Sequence, residues 1–364
     1  MKRILIVRLD EIGDFILTVP MLRELKQNYP SVCIDIIVKH QLVSFVRENP
    51  YIDNVTGAEV TRRKFYRNLW LVVQLLWNRL KKGRYDLAIL PRPSPDRSCS
   101  RILAWIAGAI KIMAYDTSCV GPDKKVPNCI LTSIAEHNVL SNLRFVTEAK
   151  GIIHSDKITA QDLVRKIPRN IDFWKGTIKW DKKKKYALCA IRSVSEKRNW
   201  EKEKFLTLIE KIYQEKGYIS ILLGDEEDAK DAEWIAANCT ENCCISLCGK
   251  TTLPDLISIM PIGDFYFGTD TSIVHFASAC NIPCVVLSPH AKGYNSWLSA
   301  EVRFRPWQVP CRIVNPPEMI FPCINECLEP EAHCIKNITP EIMFAAIDNL
   351  LQKELVHATS EHEL

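Results

Sequence analysis

The amino-acid sequence predicts an α/β protein with two open domains, each built on a parallel sheet. In the first half, apolar strand candidates at residues 4–7, 34–38 and 87–90 alternate with helical patterns, of which the first covers residues 15–28. A polar, lysine-rich stretch at residues 167–185 interrupts this alternation, which then restarts. Alternating strands and helices are typical of parallel sheets, so the restart indicates a second domain of the same kind.

The second half supplies its own series of strands and helices. Strands are predicted at residues 186–191, 219–223, 245–247, 265–267 and 284–287, and helices at residues 203–216, after Thr252, after Thr271 and at residues 340–355. We therefore expect domains at residues 1–166 and 186–338, joined by a linker at 167–185. A C-terminal helix at 339–356, with Thr339 as its N-cap, could cross back to the first domain.

Length and composition exclude several classes of protein. The 364 residues with 47% hydrophobic content suffice for two domains. A net charge of +5 is too weak for a nucleic-acid binder but suits an anionic small ligand or an anionic membrane face. The first apolar stretch is too short for a signal peptide, and no run reaches the roughly 18 residues of a spanning helix. We expect a cytoplasmic protein whose 15 cysteines are mainly thiols.

Residues 267–287 predict a strand, a hydroxyl-rich turn, a short helix and a second strand. Thr269, Thr271 and Ser272 place hydroxyls where a helix leaves its first amides unpaired, and the helix dipole attracts an anion there. Asp270 lies among them, although a carboxylate repels phosphate. This combination favours a ligand with phosphate at one end and hydroxyls at the other, such as a nucleotide sugar. Ordinary helix capping by the same residues is the alternative.

A carboxylate follows the first strand. Gly13 allows a sharp turn there, and Asp14 then begins the next helix and faces the cleft that we expect between the strand ends of the two domains. Asp14 could act as a general base, or it could simply interact favourably with the helix dipole. Its neighbours Asp10 and Glu11 could raise its pKa by like-charge repulsion, or could act in its place.

Together these segments make the chain resemble the heptosyltransferase family, glycosyltransferase family 9, over residues 2–352. The residues that carry the resemblance are Arg8, Gly13-Asp14, Pro20, Tyr85-Asp86, Arg198-Asn199-Trp200, residues 247–253 and residues 270–275. The resemblance implies the GT-B fold, in which two Rossmann-like domains face each other across a cleft. It implies an inverting glycosyltransferase that moves a heptose, or a related sugar, from an ADP-sugar to a hydroxyl of a lipopolysaccharide core or a similar glycan. The first domain would bind the acceptor and the second the nucleotide sugar.

The resemblance also implies which residues act. Asp14 matches the catalytic base, and a cation from the loop at residues 193–200 would neutralise the departing diphosphate. Arg198 stands where family members commonly have lysine, which keeps the charge but changes the geometry. Ser272 stands where the family usually has glycine. The predicted donor-binding residues are Ser193, Ser195, Lys197, Arg198, Glu227, Asp270, Thr271, Ser272 and His275.

Three of these residues have specific roles in the prediction. Asp270 would bind sugar hydroxyls. His275 would lie near the phosphate or brace the loop, unless it is an ordinary hydrogen-bonded helix residue. Glu227, with Asp228 close behind, would hold the donor ribose, although acidic residues are common at helix starts.

The acceptor side is predicted from the first domain. Arg92 and Arg97 follow the strand at 87–90 and could contact acceptor phosphate or hydroxyls. Residues 61–82 form an apolar helix with basic ends and two tryptophans, which is typical of a membrane-interface segment. A buried helix of the first domain is the alternative. In the interfacial case this face would meet anionic lipid or a phosphorylated glycolipid at the inner face of the membrane.

Cysteines cluster late in the chain. Cys311, Cys323, Cys327 and Cys334 lie in a proline-rich stretch, where a structural zinc or iron could replace a missing core. Reduced thiols or occasional disulfides are the alternative. A second group, Cys239, Cys243, Cys244 and Cys248, is expected to have a packing role. We expect catalysis to need no metal or other cofactor, because the chain lacks the Asp-x-Asp pair of metal-dependent glycosyltransferases.

The sequence fits two other function classes less well. Two departures from the family pattern motivate the alternative of a catalytically impaired protein that binds a sugar nucleotide or a glycolipid without turnover. They are Ser272 and a late cysteine cluster that lacks the further cysteine often found near its first member. A nicotinamide dehydrogenase is disfavoured because no G-x-G-x-x-G follows a strand.

Overall fold

A computed structural model describes residues 1–59, 69–93, 98–116, 129–131, 136–294 and 300–361. The chain divides into two compact units, Met1–Lys166 and Ile167–Leu364. Each unit contains a six-stranded sheet whose paired strands run parallel. This confirms the predicted α/β class with two Rossmann-like domains.

The first unit has the strand order β3-β2-β1-β4-β5-β6. Its strands are β1 (Arg3–Arg8), β2 (Cys33–Lys39), β3 (Asn54–Ala58), β4 (Leu87–Leu90), β5 (Lys111–Tyr115) and β6 (Cys129–Leu131). Its described helices are α1 (Ile12–Ile16), α2 (Val19–Asn28), α3 (Val43–Arg47), α4 (Leu69–Lys82), α5 (Ser100–Ile106), α6 (Asn138–Glu148) and α7 (Ala160–Leu163), with a 3-10 turn at His40–Leu42. The order reverses between β1 and β4, and ligands bind at the carboxyl ends of strands at such a switch point.

The second unit repeats the arrangement with the order β12-β11-β10-β7-β8-β9. Its strands are β7 (Lys185–Ala190), β8 (Tyr218–Leu222), β9 (Cys244–Ser246), β10 (Phe265–Thr269), β11 (Cys284–Leu287) and β12 (Cys311–Val314). Its described helices are α8 (Ile171–Thr177), α9 (Lys202–Lys216), α10 (Ala229–Asn238), α11 (Leu253–Ile259), α12 (Ser272–Ala279) and α13 (Pro340–Glu361), with 3-10 turns at Glu196–Arg198, Thr240–Asn242, Met260–Ile262 and Cys334–Asn337 and a π-helical turn at Ala300–Phe304. The switch point here lies between β7 and β10.

The helix predicted at residues 15–28 is in fact two helices, α1 and α2. Pro20 lies in the first turn of α2, where its missing N–H and fixed backbone angle suit a helix start rather than an interior. Thr18 fills the break, with its hydroxyl donating to the Asp14 carbonyl at 2.8 Å. Helix α1 begins at Ile12, so Asp14 lies in its first turn, next to the end of β1.

The Tyr85-Asp86 pair has a structural role at the amino ends of the strands. The Tyr85 hydroxyl donates to Asp35 Oδ2 at 2.6 Å, and Arg3 forms an ion pair with the same carboxylate at 2.8 Å. Asp86 Oδ2 accepts from the backbone N–H groups of Lys2 and Arg3 at 2.5 and 3.0 Å. These contacts tie β1, β2 and β4 together at the end opposite the switch point.

One glycine decides how closely the two central strands of the second sheet approach. Gly268 on β10 has φ of +136°, and a Cβ there would lie 2.2 Å from the Ala190 carbonyl oxygen of β7. Only glycine tolerates both conditions. The close approach allows the Thr269 hydroxyl to donate to the Arg192 carbonyl at 2.9 Å, which joins the ends of β7 and β10.

The predicted linker and the last helix both pack within the second unit. Arg169 pairs with Asp255, with Nε 3.1 Å from Oδ1, and its carbonyl accepts from the Ser258 hydroxyl at 2.7 Å. Trp174 of α8 is buried against this region. Helix α13, which runs beyond its predicted end to Glu361, packs on α9, β11 and β12.

Helix α4 accounts for the part of the predicted 61–82 helix that lies within the described residues, since residues 60–68 fall outside them. Across the described ranges, no helix combines the length and the apolar composition needed to cross a membrane.

Candidate functional site

A buried arginine organises the carboxylates after β1. Arg8, the last residue of the strand, is 1% exposed. One guanidinium nitrogen lies 3.1 Å from Asp14 Oδ1 and another lies 3.3 Å from Asp10 Oδ2. Arg92, which follows β4, pairs with Asp10 Oδ1 at 2.6 Å. Two cations and two carboxylates therefore meet where the strand order reverses.

Asp14 has the properties of a proton acceptor. Its side chain is 24% exposed, and its carboxylate also accepts from the Glu11 backbone N–H at 3.4 Å. Burial raises the pKa of Asp14 to about 6, with Arg8 opposing the shift and the Asp10 charge adding to it. A general base is most effective when its pKa lies near the working pH.

The other carboxylates and cations of this region differ in their surroundings. Glu11 is about half exposed and pairs with Lys39 rather than with the Arg8 cluster. Arg92 lies at the cluster, whereas Arg97 falls outside the described residues. This role of Arg8 was not predicted, although a strand-terminal arginine followed by two nearby aspartates is a usable signal.

In the second unit, Arg198 meets the turn after β10. Its Nη1 lies 3.1 Å from Asp270 Oδ2 and donates to the Asp270 carbonyl at 3.3 Å. The Ser193 hydroxyl donates to the same carbonyl at 3.2 Å. The Ser193 backbone N–H in turn donates a hydrogen bond to Asn199 Oδ1 at 2.7 Å. The structure thus brings together the loop after β7 and the loop after β10, which the sequence analysis assigned to one site.

The start of α12 leaves polar groups available for a ligand. Thr271 is the N-cap, yet its hydroxyl makes no capping hydrogen bond, and both Thr271 and Ser272 are only half-buried. Ser272 has an ordinary helical backbone and is not among the residues with positive φ. A glycine is therefore not required there for conformational reasons. The amides of the first turn, the hydroxyls and the dipole make this helix start suitable for phosphate.

His275 lies one turn further along α12 and is 4% exposed. Burial lowers the pKa of His275 to about 4, with Asp270 opposing the shift and Arg198 adding to it. The ring is therefore neutral at pH 7. Its Nδ1 has no hydrogen-bond partner among the described residues. A neutral ring with an unused nitrogen beside Arg198 and Asp270 can contact a bound group.

The acidic turn after β8 is split between an exposed and a half-buried carboxylate. Glu227 is exposed, and its amide donates to Asp225 Oδ1 at 2.9 Å. Asp228 is half-buried and lies 3.7 Å from Arg192. Burial, reinforced by the Asp225 charge, raises the pKa of Asp228 to about 6. Arg192, two residues beyond β7, also pairs with Glu196 at 3.1 Å and was not predicted as a site residue.

Four side chains in the late segment could hold a metal ion. The Sγ atoms of Cys323, Cys327 and Cys334 and a nitrogen of His333 all lie within 4.8 Å of one another. His333 Nδ1 is 3.7 Å from Cys323 Sγ and 3.4 Å from Cys334 Sγ. The prediction that Cys311 completes this set is wrong. Cys311 lies on β12, where register with Cys284 of β11 fixes its position, and His333 takes the fourth place.

Cys327 of the cysteine segment contacts the loop at residues 193–200. The carbonyl of Cys327 accepts from Lys197 Nζ at 3.4 Å, and its amide donates to His290 Nδ1 at 3.3 Å. His290 follows β11, is 2% exposed and was not identified from the sequence. A histidine three residues beyond a buried strand at the carboxyl edge is the signal that could have found it. Ser195, half-buried, precedes the turn that carries Lys197 and Arg198.

The second cysteine group differs from its prediction. Cys239 and Cys243 form a disulfide, because the end of α10 and the following turn bring their Cα atoms to 6.2 Å. Cys244 and Cys248 are buried thiols, in agreement with a packing role.

Comparisons with known proteins agree with this geometry. The chain is 26% identical over 282 residues to lipopolysaccharide heptosyltransferase 3 of Escherichia coli (strain K12), covering 76% of this chain and 79% of that protein. The solved structure of E. coli ADP-heptose lps heptosyltransferase II matches with a TM-score of 0.68 at 18% identity, covering 97% and 99% of the two chains. The iron-containing heptosyltransferase TibC, solved with ADP-D-β-D-heptose, matches with a TM-score of 0.51 at 11% identity, covering 97% and 76%.

The two structural matches confirm the GT-B fold. The model of the family described as glycosyltransferase family 9 (heptosyltransferase) matches residues 73–307. Since that range is more than half of the chain, the protein belongs to glycosyltransferase family 9 (heptosyltransferase) and is a glycosyltransferase.

Proposed function

We propose that this protein transfers a heptose from ADP-heptose to a hydroxyl of a lipopolysaccharide core or a similar glycan, with inversion at the anomeric carbon. The observation that carries the proposal is Asp14, a partly exposed carboxylate with a pKa of about 6 at the switch point of the first sheet. The names of the relatives supply the donor and acceptor classes.

The proposed reaction is a single displacement. The acceptor oxygen forms a bond to the anomeric carbon while the bond from that carbon to the diphosphate oxygen breaks. The hydroxyl proton passes to the Asp14 carboxylate, and the electron pair of the broken bond leaves with ADP. The base and the electrostatic stabilisation of the leaving group are the two contributions that this chemistry requires.

The second unit supplies the donor site in this proposal. Arg198 and Lys197 neutralise the diphosphate, and the amides and hydroxyls at the start of α12 bind its oxygens. Asp270, already oriented by Arg198 at 3.1 Å, accepts hydrogen bonds from sugar hydroxyls. Glu227 is exposed beside β8 and is free to rotate toward the ribose. His275 offers its unused ring nitrogen to the bound donor.

The first unit supplies the acceptor site. Arg92 lies beside Asp10 at 2.6 Å and can reach an acceptor phosphate or hydroxyl. We assign Arg97 the same role from the sequence. A lipopolysaccharide core is carried on a lipid anchor, so the first unit would meet this acceptor at the inner face of the membrane.

Transfer is tested directly with the purified protein. With ADP-heptose and a heptose-bearing core oligosaccharide, we expect ADP release that depends on the acceptor, together with a product one heptose heavier by mass spectrometry. ADP release from ADP-heptose without any glycosylated product, or transfer from UDP-sugars only, would refute the proposed donor and acceptor pairing.

The pKa of Asp14 predicts the pH dependence of transfer. Because only the carboxylate accepts a proton, kcat/KM should decrease as the pH drops below about 6, the pKa of Asp14. This decrease is the acid limb of the pH profile. The Asp10 charge raises this pKa, so Asp10→Asn should move the acid limb to lower pH. Glu11→Gln is the matched control and should leave the limb in place, since Glu11 pairs with Lys39. A limb that is unchanged in Asp10→Asn contradicts the assignment of the limb to Asp14.

We also propose that the late cluster holds one structural zinc or iron ion. Three thiolates and one imidazole are a suitable tetrahedral donor set, and metal–sulfur bonds of about 2.3 Å require such convergence of the donors. All three cysteines are buried, and Met319 and Ile320 are the apolar side chains that pack against them. Because the chain is similar to an iron-containing structure, we propose iron as well as zinc for this site. The ion would stabilise the segment that holds Lys197 and His290, with no part in the reaction.

Metal content and stability test this site. We expect about one zinc or iron per chain by mass spectrometry of the purified protein, and loss of the metal in Cys334→Ser. That variant should melt at lower temperature and bind ADP more weakly, because Cys327 no longer positions Lys197. Cys33→Ser, in the first unit, is the control. A Cys334→Ser protein that keeps its metal, or a wild-type protein without zinc or iron after growth in supplemented medium, contradicts the proposal.

Among the residues that the structure describes, neither feature that motivated the impaired binding protein favours it. Its two motivations were Ser272 and the incomplete cysteine pattern. Ser272 fits an ordinary helical backbone, and His333 lies with three of the late cysteines.

A further inference from the structure

Helix α4 has one face in the core and one face in solvent, and the solvent face is apolar. Leu71 and Leu75 are 3% and 2% exposed and pack in the core of the first unit. On the other side, Trp70 and Leu80 are 75% and 80% exposed. The exposed large apolar residues of this helix are Leu69, Trp70, Val73, Leu76, Trp77 and Leu80.

The spacing of these residues forms a continuous stripe. Residues 69, 73, 76 and 80 follow the i, i+4, i+7, i+11 pattern of one helix face, and the two tryptophans lie two turns apart along one side of it. The stripe extends for about 16 Å along the helix axis. A soluble protein rarely exposes so many large apolar side chains together unless they contact a partner.

Charge indicates which partner covers the stripe. The basic residues Arg79, Lys81, Lys82 and Arg84 are all exposed at the end of α4 and just beyond it. The sequence from Leu69 to Tyr85 contains no acidic residue. A second copy of this face would therefore bring like charges together, whereas an anionic surface complements them. Lys81 Nζ lies 4.7 Å from the centre of the Trp77 ring, so charge and aromatic surface are adjacent.

A second exposed apolar pair lies beside the basic end of the helix. Trp105 and Ile110 are 61% and 64% exposed. Gly108 stands between them in sequence, and its carbonyl accepts from Arg84 Nε at 3.2 Å. The apolar surface thus continues past the basic residues onto the end of α5. Tryptophan beside lysine and arginine on an apolar face is the composition of a segment that lies in a membrane interface.

We propose that the exposed face of α4 docks the first unit on a bilayer of anionic phospholipid, with the helix axis parallel to the surface. The described part of this helix, Leu69–Lys82, has 14 residues, about 21 Å, which is shorter than the roughly 30 Å hydrocarbon core. Its other face is buried in the core of the first unit through Leu71 and Leu75, so it would lie at the interface rather than across the bilayer. The proposal rests on the proposed function only for the source of the lipid, because the bilayer that carries the acceptor would be the one that is bound.

Co-sedimentation with vesicles tests the docking. The full chain should bind vesicles of phosphatidylglycerol and phosphatidylcholine, and bind pure phosphatidylcholine at least tenfold more weakly. Trp70→Ser with Trp77→Ser should lower binding to the anionic vesicles at least tenfold. Trp180→Ser, which removes a partly exposed tryptophan of the second unit, is the matched control and should bind as the wild type does.

Two further readouts keep the outcomes separate. Transfer of heptose to a soluble core oligosaccharide should be unchanged in the double tryptophan variant, so loss of vesicle binding with intact transfer supports docking. Equal binding of the variant and the wild type to anionic vesicles overturns the docking proposal and leaves the transferase function standing. A dimer in light scattering that the double variant converts to a monomer also overturns it, because a second copy would then cover the stripe.

Discussion

Replacing Asp14 with asparagine is expected to lower the turnover number about 1,000-fold while changing the affinity for ADP-heptose by less than about twofold. Asparagine keeps the size of the side chain and can still accept a hydrogen bond from Arg8. It cannot accept the proton of the acceptor hydroxyl. Single-turnover transfer measures the rate, and calorimetric titration of ADP measures the donor site independently.

The same substitution should stabilise the fold at neutral and alkaline pH. The folded-state pKa of Asp14, about 6, lies above the unfolded value of 3.8, so the fold disfavours the charged carboxylate. This cost is absent below about pH 4, grows between pH 4 and 6 and is complete above pH 6, where it amounts to about 2 to 3 kcal/mol. Thermal unfolding at pH 8 should therefore show a higher melting temperature for Asp14→Asn than for the wild type, with the difference vanishing near pH 4.

Glu11→Gln is the matched control for both measurements. Glu11 is three residues away, about half exposed and paired with Lys39. Its amide variant should transfer heptose at the wild-type rate and gain no stability at pH 8. If Glu11→Gln loses as much turnover as Asp14→Asn, the base is misassigned. Wild-type turnover in Asp14→Asn would remove Asp14 from the reaction.

Arg198→Ala is expected to weaken ADP binding by about 10- to 100-fold, because a charge-assisted hydrogen bond to a phosphate contributes roughly 1.5 to 3 kcal/mol. The loss should be larger for ADP than for adenosine, since only the diphosphate meets the guanidinium. Arg198→Lys should recover part of the affinity because the charge remains while bidentate binding is lost.

Removing Arg198 also leaves Asp270 without its ion pair at 3.1 Å, so folding must be checked by thermal unfolding. Lys211→Ala is the control, because Lys211 pairs with Glu215 one turn later on the same helix, α9. Its ADP affinity should match that of the wild type. An Arg198→Ala protein that is folded and binds ADP as tightly as the wild type would show that the diphosphate binds elsewhere.

The sequence was sufficient where the determinants are local. Residues 87–90 and 284–287 are short apolar runs between polar segments, and they coincide with β4 and β11 because both strands are buried on both faces. The prediction of one helix at residues 15–28 was wrong at one point, because two helices cover this range. Its apolar pattern is continuous, and the break at Thr18 results from the backbone restriction at Pro20 rather than from any change in hydrophobicity.

The candidate site was harder to predict because its contacts join distant residues. Arg198 meets Asp270, 72 residues later, only because β7 and β10 are adjacent in the sheet. The contact between Lys197 and Cys327 spans 130 residues and has no local signal. Likewise, His333 joins the cysteine cluster while Cys311 does not, since Cys311 lies on a strand.

The anomeric configuration of the product tests the central claim most directly. That claim is a single displacement in which Asp14 deprotonates the acceptor while the second unit holds the departing diphosphate. Nuclear magnetic resonance of the oligosaccharide formed from ADP-heptose reports the configuration of the new linkage through the one-bond carbon–hydrogen coupling at the anomeric carbon. The account predicts the configuration opposite to that of the donor, and a product that retains the donor configuration would contradict it.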